Sequence, residues 1–330
     1  MQRFLRRAVK ASCQYAVIEM TSEGAKFYRH KWIELDALIF TNLAPEHIES
    51  HGSYEKYRDA KLSIARSLAT SKKKRKTLIA NSDDAEAPKF MAIAGVEKMP
   101  FCLSQAKPYN LAPEGLSMTV AGTQITSPLS GLFNIYNMLG AIAFAQTQTI
   151  GLDTIKRALE KFRGVRGRVE RITMDLDPAG SVKQDFTVIV DYAHTPDSLQ
   201  KLYDVFQNSK KICVLGNTGG GRDKWKRPAM AKIAEDNCEV IILTNEDPYD
   251  EDPQKIVEEM REAIVSKPVE IIMDRREAIA EALKHASTGD TVLITGKGTD
   301  PCICGPHGTK LPWSDSKVTR EELEKLLSKK

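Results

Sequence analysis

Four short segments of this chain place acidic, basic and glycine residues directly after apolar runs: Asp191-Tyr-Ala-His194, Gly216-Asn-Thr-Gly-Gly-Gly-Arg-Asp223, Asn245-Glu-Asp-Pro-Tyr249 and Gly296-Lys-Gly-Thr-Asp300. In α/β proteins, ligands bind in the crevice outside the carboxyl ends of the strands, so these are the segments where chemistry is expected. The glycines at 219–221 allow close backbone approach and precede a helix. No lysine-serine pair follows them, however, and the phosphate-loop pattern G-x-x-x-x-G-K-[ST] occurs nowhere in the sequence. Glu19 follows the apolar run at 15–18, a placement that suits a carboxylate ligand for a hard cation. Asp191 also has an ordinary reading as a turn or capping residue, and Asn134 has one as a helix N-cap.

The elements that must position these residues are legible from about residue 167 onward. Apolar runs at 186–190, 212–215, 239–243, 269–273 and 291–295 alternate with helical segments at 196–208, 228–236, 253–266, 275–287 and 319–328. This alternation predicts a largely parallel sheet with right-handed crossovers and helices on both faces. Pro196, Pro228 and Pro253 mark helix starts, where a missing amide hydrogen does no harm. The first half is less regular. An amphipathic helix with Phe4, Leu5, Ala8 and Val9 on its inner side leads to a strand at 15–18. A strand at 37–40, a helix at 54–69, short β segments over 77–128 and a helix at 134–147 follow. Glycine and arginine replace apolar periodicity near 162–168, which places a domain boundary there and predicts an α/β chain with domains 1–166 and 167–330.

Composition excludes several classes of function. The 48 basic and 44 acidic residues are mixed along the chain, so no sustained basic stripe exists to neutralise nucleic-acid phosphates. The short run Lys72-Lys-Lys-Arg-Lys76 reads as a solvated turn. No apolar run approaches the roughly 18 residues of a membrane span, so a cytoplasmic protein with no membrane partner is expected. Cys302 and Cys304 form a C-x-C without a second pair, which is poor evidence for zinc, and all six cysteines are expected as reduced thiols.

The segments Glu19-Met-Thr-Ser-Glu-Gly24, Tyr57-Arg-Asp-Ala-Lys61, Gly131-Leu-Phe-Asn-Ile-Tyr-Asn137, Gly167-Arg-Val-Glu170 and the four strand-end segments occur in one order. Together they resemble the Mur ligases, in particular the branch that adds the third amino acid of the peptidoglycan stem. The resemblance implies the remainder of a P-loop-type central ATPase domain followed by a Rossmann-like α/β C-terminal domain. The family's UDP-sugar domain and Walker A loop have no counterpart in the sequence, so the chain is expected to be incomplete at its front and to bind ATP weakly.

The implied reaction is ATP-dependent amide formation through an acyl phosphate, on UDP-N-acetylmuramoyl-L-alanyl-D-glutamate, by a monomer. Phosphoryl transfer of this kind needs divalent cations and fixed charge around the γ-phosphate. By resemblance, Glu19, His47 and Lys61 hold magnesium, Lys61 as a carbamate. Asn134, Asn137, Arg168, Asp191 and Tyr192 contact ATP, and Arg168 and His194 join Lys61 in catalysis. Thr21 and Arg29 meet the UDP-sugar substrate. Arg222, Glu246, Asp247, Gly296 and Asp300 meet the incoming amino acid, with Arg222 on its α-carboxylate. Glu23 stands where the family has histidine.

Diaminopimelate-adding members carry D-N-P-R at the selector, whereas this chain reads Glu246-Asp-Pro-Tyr249. Tyr249 supplies no guanidinium, and Glu246, Asp247 and Asp300 would make the pocket acidic. A lone ammonium fits such a pocket better than a second carboxylate, which points to L-lysine or a similar diamino acid over diaminopimelate. Two other classes stay open: a catalytically degenerate binding protein of the same family, and a ligase of the folylpolyglutamate-synthase type.

Overall fold

A computed structural model describes residues 1–46, 48–174 and 184–328. They pack as two compact units, Met1–Lys107 with Tyr136–Ile155, and Pro108–Ile135 with Lys156–Lys330.

The first unit contains helices α1 (Gln2–Lys10) and α2 (Ser22–Lys26), strand β1 (Ala37–Phe40), α3 (Ile48–His51), α4 (Tyr54–Ala69), β2 (Thr77–Asn81), α5 (Ala87–Met91), β3 (Glu97–Phe101) and most of α6 (Leu132–Thr147). The three strands pair in parallel in the order β1-β2-β3. Helix α4 begins where the Ser53 hydroxyl accepts the Lys56 amide at 3.2 Å, which satisfies one of the donors orphaned at a helix start. Its Tyr57, Leu62, Ala65 and Leu68 recur at helical spacing and pack on Phe40, Leu78, Ala80 and Phe90. The basic run at 72–76 is the turn between α4 and β2. Lys73 pairs with Asp36 at 3.1 Å and Arg75 with Glu97 at 3.6 Å, both pairs largely in solvent.

Two expectations for this unit fail. Helix α1 forms but buries none of its residues, and Phe4 and Val9 face solvent. Residues 15–18 form no strand. A strand needs neighbours for its amides and carbonyls, none of the described residues pairs with this run, and Val17 is 90% exposed.

The second unit opens with an antiparallel sheet of β4 (Tyr109–Ala112), β5 (Gly115–Val120) and β6 (Thr123–Ser127). The β5–β6 hairpin turns at Ala121-Gly122, both at positive φ as a two-residue hairpin requires. Helix α7 (Leu152–Lys161), which enters this unit at Lys156, follows, an element that the sequence reading passed over. The main sheet has β7 (Glu170–Arg171), β8 (Thr187–Val190), β9 (Lys211–Leu215), β10 (Val240–Leu243), β11 (Val269–Ile271) and β12 (Thr291–Ile294). Its order is β11-β10-β9-β12-β8-β7, and only β7 is antiparallel.

The intervening helices are α8 (Pro196–Val205), α9 (Lys226–Asn237), α10 (Pro253–Glu262) and α11 (Arg275–His285). The hairpin of β13 (Cys302–Cys304) and β14 (Lys310–Pro312) then leads to α12 (Asp315–Leu327). Because side chains alternate along a strand, Ile189, Cys213, Leu215, Ile241, Leu243 and Leu293 face α8, α9 and α10. Val188, Val190, Ile212, Val214, Ile242, Val292 and Ile294 face α11 and α12. The predicted βαβ alternation is therefore present, with both faces covered. The expectation of six reduced thiols fails: Cys213 on β9 and Cys238 after α9 form a disulfide within the first of these cores.

Candidate active site

Parallel strands β10, β9, β12 and β8 lie side by side, so the four segments singled out in the sequence emerge along one edge of the sheet. Specific contacts join each segment to its neighbours. The Thr218 hydroxyl donates to Glu246 Oε1 at 2.7 Å, and the Gly219 amide donates to the Asp247 carbonyl at 2.8 Å. Lys297 Nζ lies 2.7 Å from Asp247 Oδ2 and 3.2 Å from Asp300 Oδ2. Gly296 has φ +104°, and a Cβ there would stand 2.3 Å from Glu246 Oε2, so only glycine allows this approach.

Electrostatics single out Glu246. It is buried, its Oε2 has no hydrogen-bond partner, and burial pushes its carboxyl up despite Thr218, Arg275, His194 and Lys297. Asp247 is different. One of its oxygens accepts the Cys304 amide at 2.7 Å and the other holds Lys297. Lys297 is fully buried. Burial opposes its charge, yet Asp247 and Asp300 hold its pKa above the ordinary lysine value. In the pocket expected to be acidic, one buried cation is therefore shared between two of the three carboxylates, Asp247 and Asp300.

At the β8 end, the Asp191 carboxylate accepts the Val169 amide and the Ala193 amide, each at 2.7 Å, and burial pushes its carboxyl up. It organises the turn that carries Arg168, whose guanidinium sits 4.4 Å above the Tyr192 ring. Burial also raises the Tyr192 hydroxyl to about 12. His194 Nδ1 lies 2.9 Å from the Tyr192 carbonyl. Gly167, at φ +65°, and Gly298 meet backbone to backbone; a Cβ on Gly167 would fall 2.2 Å from the Gly298 carbonyl carbon. Arg222 is exposed on the glycine-rich segment. The Gly221 amide donates to Glu251 at 3.2 Å, an acidic neighbour that a phosphate would not tolerate.

Within the first unit, Lys61 is half-buried on α4 and not the solvent-facing lysine that its spacing alone suggests. Burial lowers its pKa, while the Glu46 and Glu19 carboxylates act on its ammonium in the opposite sense. Glu19 is exposed, and His47 lies outside the described residues. Thr21 serves as the N-cap of α2, accepting the Gly24 amide at 3.0 Å. Arg29 is exposed, with its guanidinium 6.0 Å from the Phe27 ring. Glu23 accepts the Ser50 hydroxyl and lies 3.5 Å from His51 Nε2, so it ties α2 to α3. Asn134 and Asn137 sit one turn apart inside α6. Asn134 is not an N-cap; its side chain donates to the Ser130 carbonyl at 2.8 Å.

Sequence reasoning missed Lys297 and Arg275. Lys297 lies between two flagged residues, and a lysine enclosed by glycines next to acidic segments was the available signal. Arg275 gave none. Its guanidinium pairs with Asp315 at 2.8 and 2.7 Å and donates to the Thr295 carbonyl at 2.7 Å and the Asn245 carbonyl at 3.3 Å. It thus braces the two segments that carry Gly296 and Glu246 from residues far apart in sequence.

Residues 167–298 match the family described as Mur ligase, glutamate ligase domain, and residues 1–145 match the Mur ligase middle domain. The UDP-N-acetylmuramoyl-L-alanyl-D-glutamate–2,6-diaminopimelate ligase of Bacillus licheniformis is 35% identical over 90% of this chain and 62% of its own length. The ligase of the same name from Gloeobacter violaceus is 35% identical over 100% of this chain and 67% of its own length. A solved structure, also titled a UDP-N-acetylmuramoyl-L-alanyl-D-glutamate–2,6-diaminopimelate ligase, is 26% identical, with a TM-score of 0.55 over 93% of this chain and 63% of that one. The chain therefore spans about two thirds of the length of these relatives. With matches to two consecutive family domains and relatives aligned along nearly its whole length, the chain belongs to the Mur ligase family.

Proposed function

We propose that this chain belongs to an ATP-dependent ligase that joins a diamino acid to UDP-N-acetylmuramoyl-L-alanyl-D-glutamate, the third-residue step of peptidoglycan synthesis. The observation that carries the proposal is the run of four strand-end segments along one sheet edge, with buried Glu246 beside Gly296 and Lys297. The names of the relatives support the same reaction. On this reading the central and C-terminal domains are 1–166 and 167–330, and the protein works as a cytoplasmic monomer.

The residues of the first unit fit magnesium only if Lys61 is modified. As an ammonium it would repel the ion. As a carbamate it becomes an anion beside Glu46 and Glu19, and burial favours the neutral amine that reacts with carbon dioxide. Glu19, His47 and carbamylated Lys61 would hold magnesium, which would neutralise charge on the transferring phosphoryl group. Arg168, Asp191, Tyr192, Asn134 and Asn137 would position ATP. Thr21 and Arg29 would meet the UDP-sugar, and His194 would stand near the reacting groups.

Arg222 would take the α-carboxylate of the incoming amino acid, and Glu246, Asp247, Gly296 and Asp300 would line its pocket. With one Lys297 shared between Asp247 and Asp300, the pocket keeps negative charge around Glu246 to meet the distal ammonium, which favours L-lysine. The relatives named above carry diaminopimelate in their names, and Tyr249 is the residue that sets this chain apart from the family's D-N-P-R selector.

The test is product formation from the UDP-dipeptide, ATP and magnesium with L-lysine or diaminopimelate, for the protein and its Tyr249→Arg variant. Lysine-dependent product, shifting towards diaminopimelate in the variant, is expected. Diaminopimelate preference in the unaltered protein would refute the selector reading. The second class left open by the sequence is a binding protein of the same family without turnover. Calorimetry with an ATP analogue and magnesium separates the two, since substrate binding without any product under every amino acid supports the second.

A further inference from the structure

Cys302 and Cys304 occupy alternate positions on β13 and so project from the same face of the strand, with their sulfurs 3.9 Å apart. Neither takes part in the disulfide, and both are partly exposed. A tetrahedral ion bound through sulfur at about 2.3 Å sets two thiolates about 3.8 Å apart, which matches this separation without moving the backbone. Bringing the same sulfurs to bonding distance, about 2.05 Å, would require the strand to distort.

We propose that Cys302 and Cys304 form a chelating site for a thiophilic divalent metal ion such as zinc or cadmium, and that its occupancy acts on the amino-acid pocket. As the ion binds, each thiol gives its proton to solvent, two metal–sulfur bonds form, and two waters leave the metal. No electrons are transferred. Solvent fills the remaining positions, so affinity is micromolar and well below that of sites with four protein ligands. Burial pushes the Cys302 thiol up, with Cys304 beside it adding to the effect. That shift makes the proton a stronger competitor for the sulfur, so binding strengthens as pH rises.

The link to the pocket is direct and rests on the ligase reading above. The Cys304 amide donates to Asp247 Oδ1 at 2.7 Å, and the Cys304 carbonyl accepts the Tyr249 amide at 3.0 Å. An ion on these sulfurs fixes the strand against which the selector segment is held.

The first test is a titration of the full chain with cadmium, read by thiolate-to-cadmium charge-transfer absorbance. One equivalent is expected, lost in Cys302→Ser and in Cys304→Ser and kept in a Cys13→Ser/Cys102→Ser variant. Carboxylate or histidine binding elsewhere gives no such absorbance. A second measurement needs no variant: zinc should slow alkylation of Cys302 and Cys304 in the unaltered protein by about tenfold, read by peptide mass spectrometry. No absorbance, absorbance that survives in Cys302→Ser, or equal alkylation with and without zinc would overturn the site. Binding as expected but with no effect of zinc on amino-acid-dependent turnover would leave the site standing and overturn its action on the pocket.

Discussion

Replacing Arg275 with methionine tests whether the site is braced from beneath. The Arg275 side chain and that of Asp315 are both essentially inaccessible, and they are joined by two hydrogen bonds of 2.8 and 2.7 Å. Removing the cation leaves a carboxylate buried without compensation, which costs about 3–5 kcal/mol. The Thr295 carbonyl also loses a 2.7 Å donor. For a unit of this size each kcal/mol corresponds to about 2–4 °C in Tm, so a drop of at least about 6 °C is expected.

Urea unfolding followed by Trp313 fluorescence in a Trp32→Phe/Trp225→Phe background reads this region, because the Trp313 indole donates to Asp315 at 2.7 Å. Asp315→Leu should cost a similar amount. The double variant should cost clearly less than the sum of the singles, because no charge is then left unpaired; the unmatched Thr295 carbonyl keeps about 1–3 kcal/mol of the loss. A cost below about 1 kcal/mol for Arg275→Met, or strict additivity in the double variant, would show that the pair is not buried as described.

Three further outcomes are expected. Burial raises the Glu246 carboxyl above its unfolded value, so its contribution to stability is complete below the ordinary carboxylate range and is lost as pH rises through the folded value. Glu246→Gln keeps an acceptor for Thr218, so its unfolding free energy should fall less than that of the unaltered protein between pH 4 and pH 7, roughly the span above an unperturbed glutamate. Gly296→Ala, at φ +104° and facing Glu246 Oε2, should cost about 1–3 kcal/mol from backbone strain alone, and wild-type stability in thermal unfolding would contradict the geometry. Under denaturing conditions, thiol titration should find the four free cysteines before reduction and all six after it, and six before reduction would exclude the Cys213–Cys238 bond.

The second half of the fold was legible because its strands are continuous apolar runs buried on both faces, each followed by a helix with a proline or an acidic residue at its start. Boundaries at 187–190, 211–215 and 291–294 fall within a residue or two of the sequence reading. The run at 15–18 misled because apolar content alone cannot supply a pairing partner. The hydrophobic face of α1 misled for the related reason that amphipathicity does not say what, if anything, covers it. At the candidate site, strand-end placement located Asp191, Glu246 and Gly296. Composition could not reveal that Lys297 would be drawn into the acidic cluster, because local spacing does not show which charges meet. Arg275 and Asp315 lie on different helices and become partners only when both helices cover one face of the sheet.

The backbone contact between Gly167 and Gly298 also fixes how Arg168 can move. With no side chain on either residue, two turns more than a hundred positions apart in sequence touch like the leaves of a closed book, and the Tyr192 backbone and Cβ close in on Gly298 beside them. The backbone of the turn that carries Arg168 therefore cannot shift towards Gly298 without moving the segment that carries Lys297 and Asp300. On the ligase reading, a ligand that settles either turn also settles the other, so tightening by one substrate should be felt in the off-rate of the second.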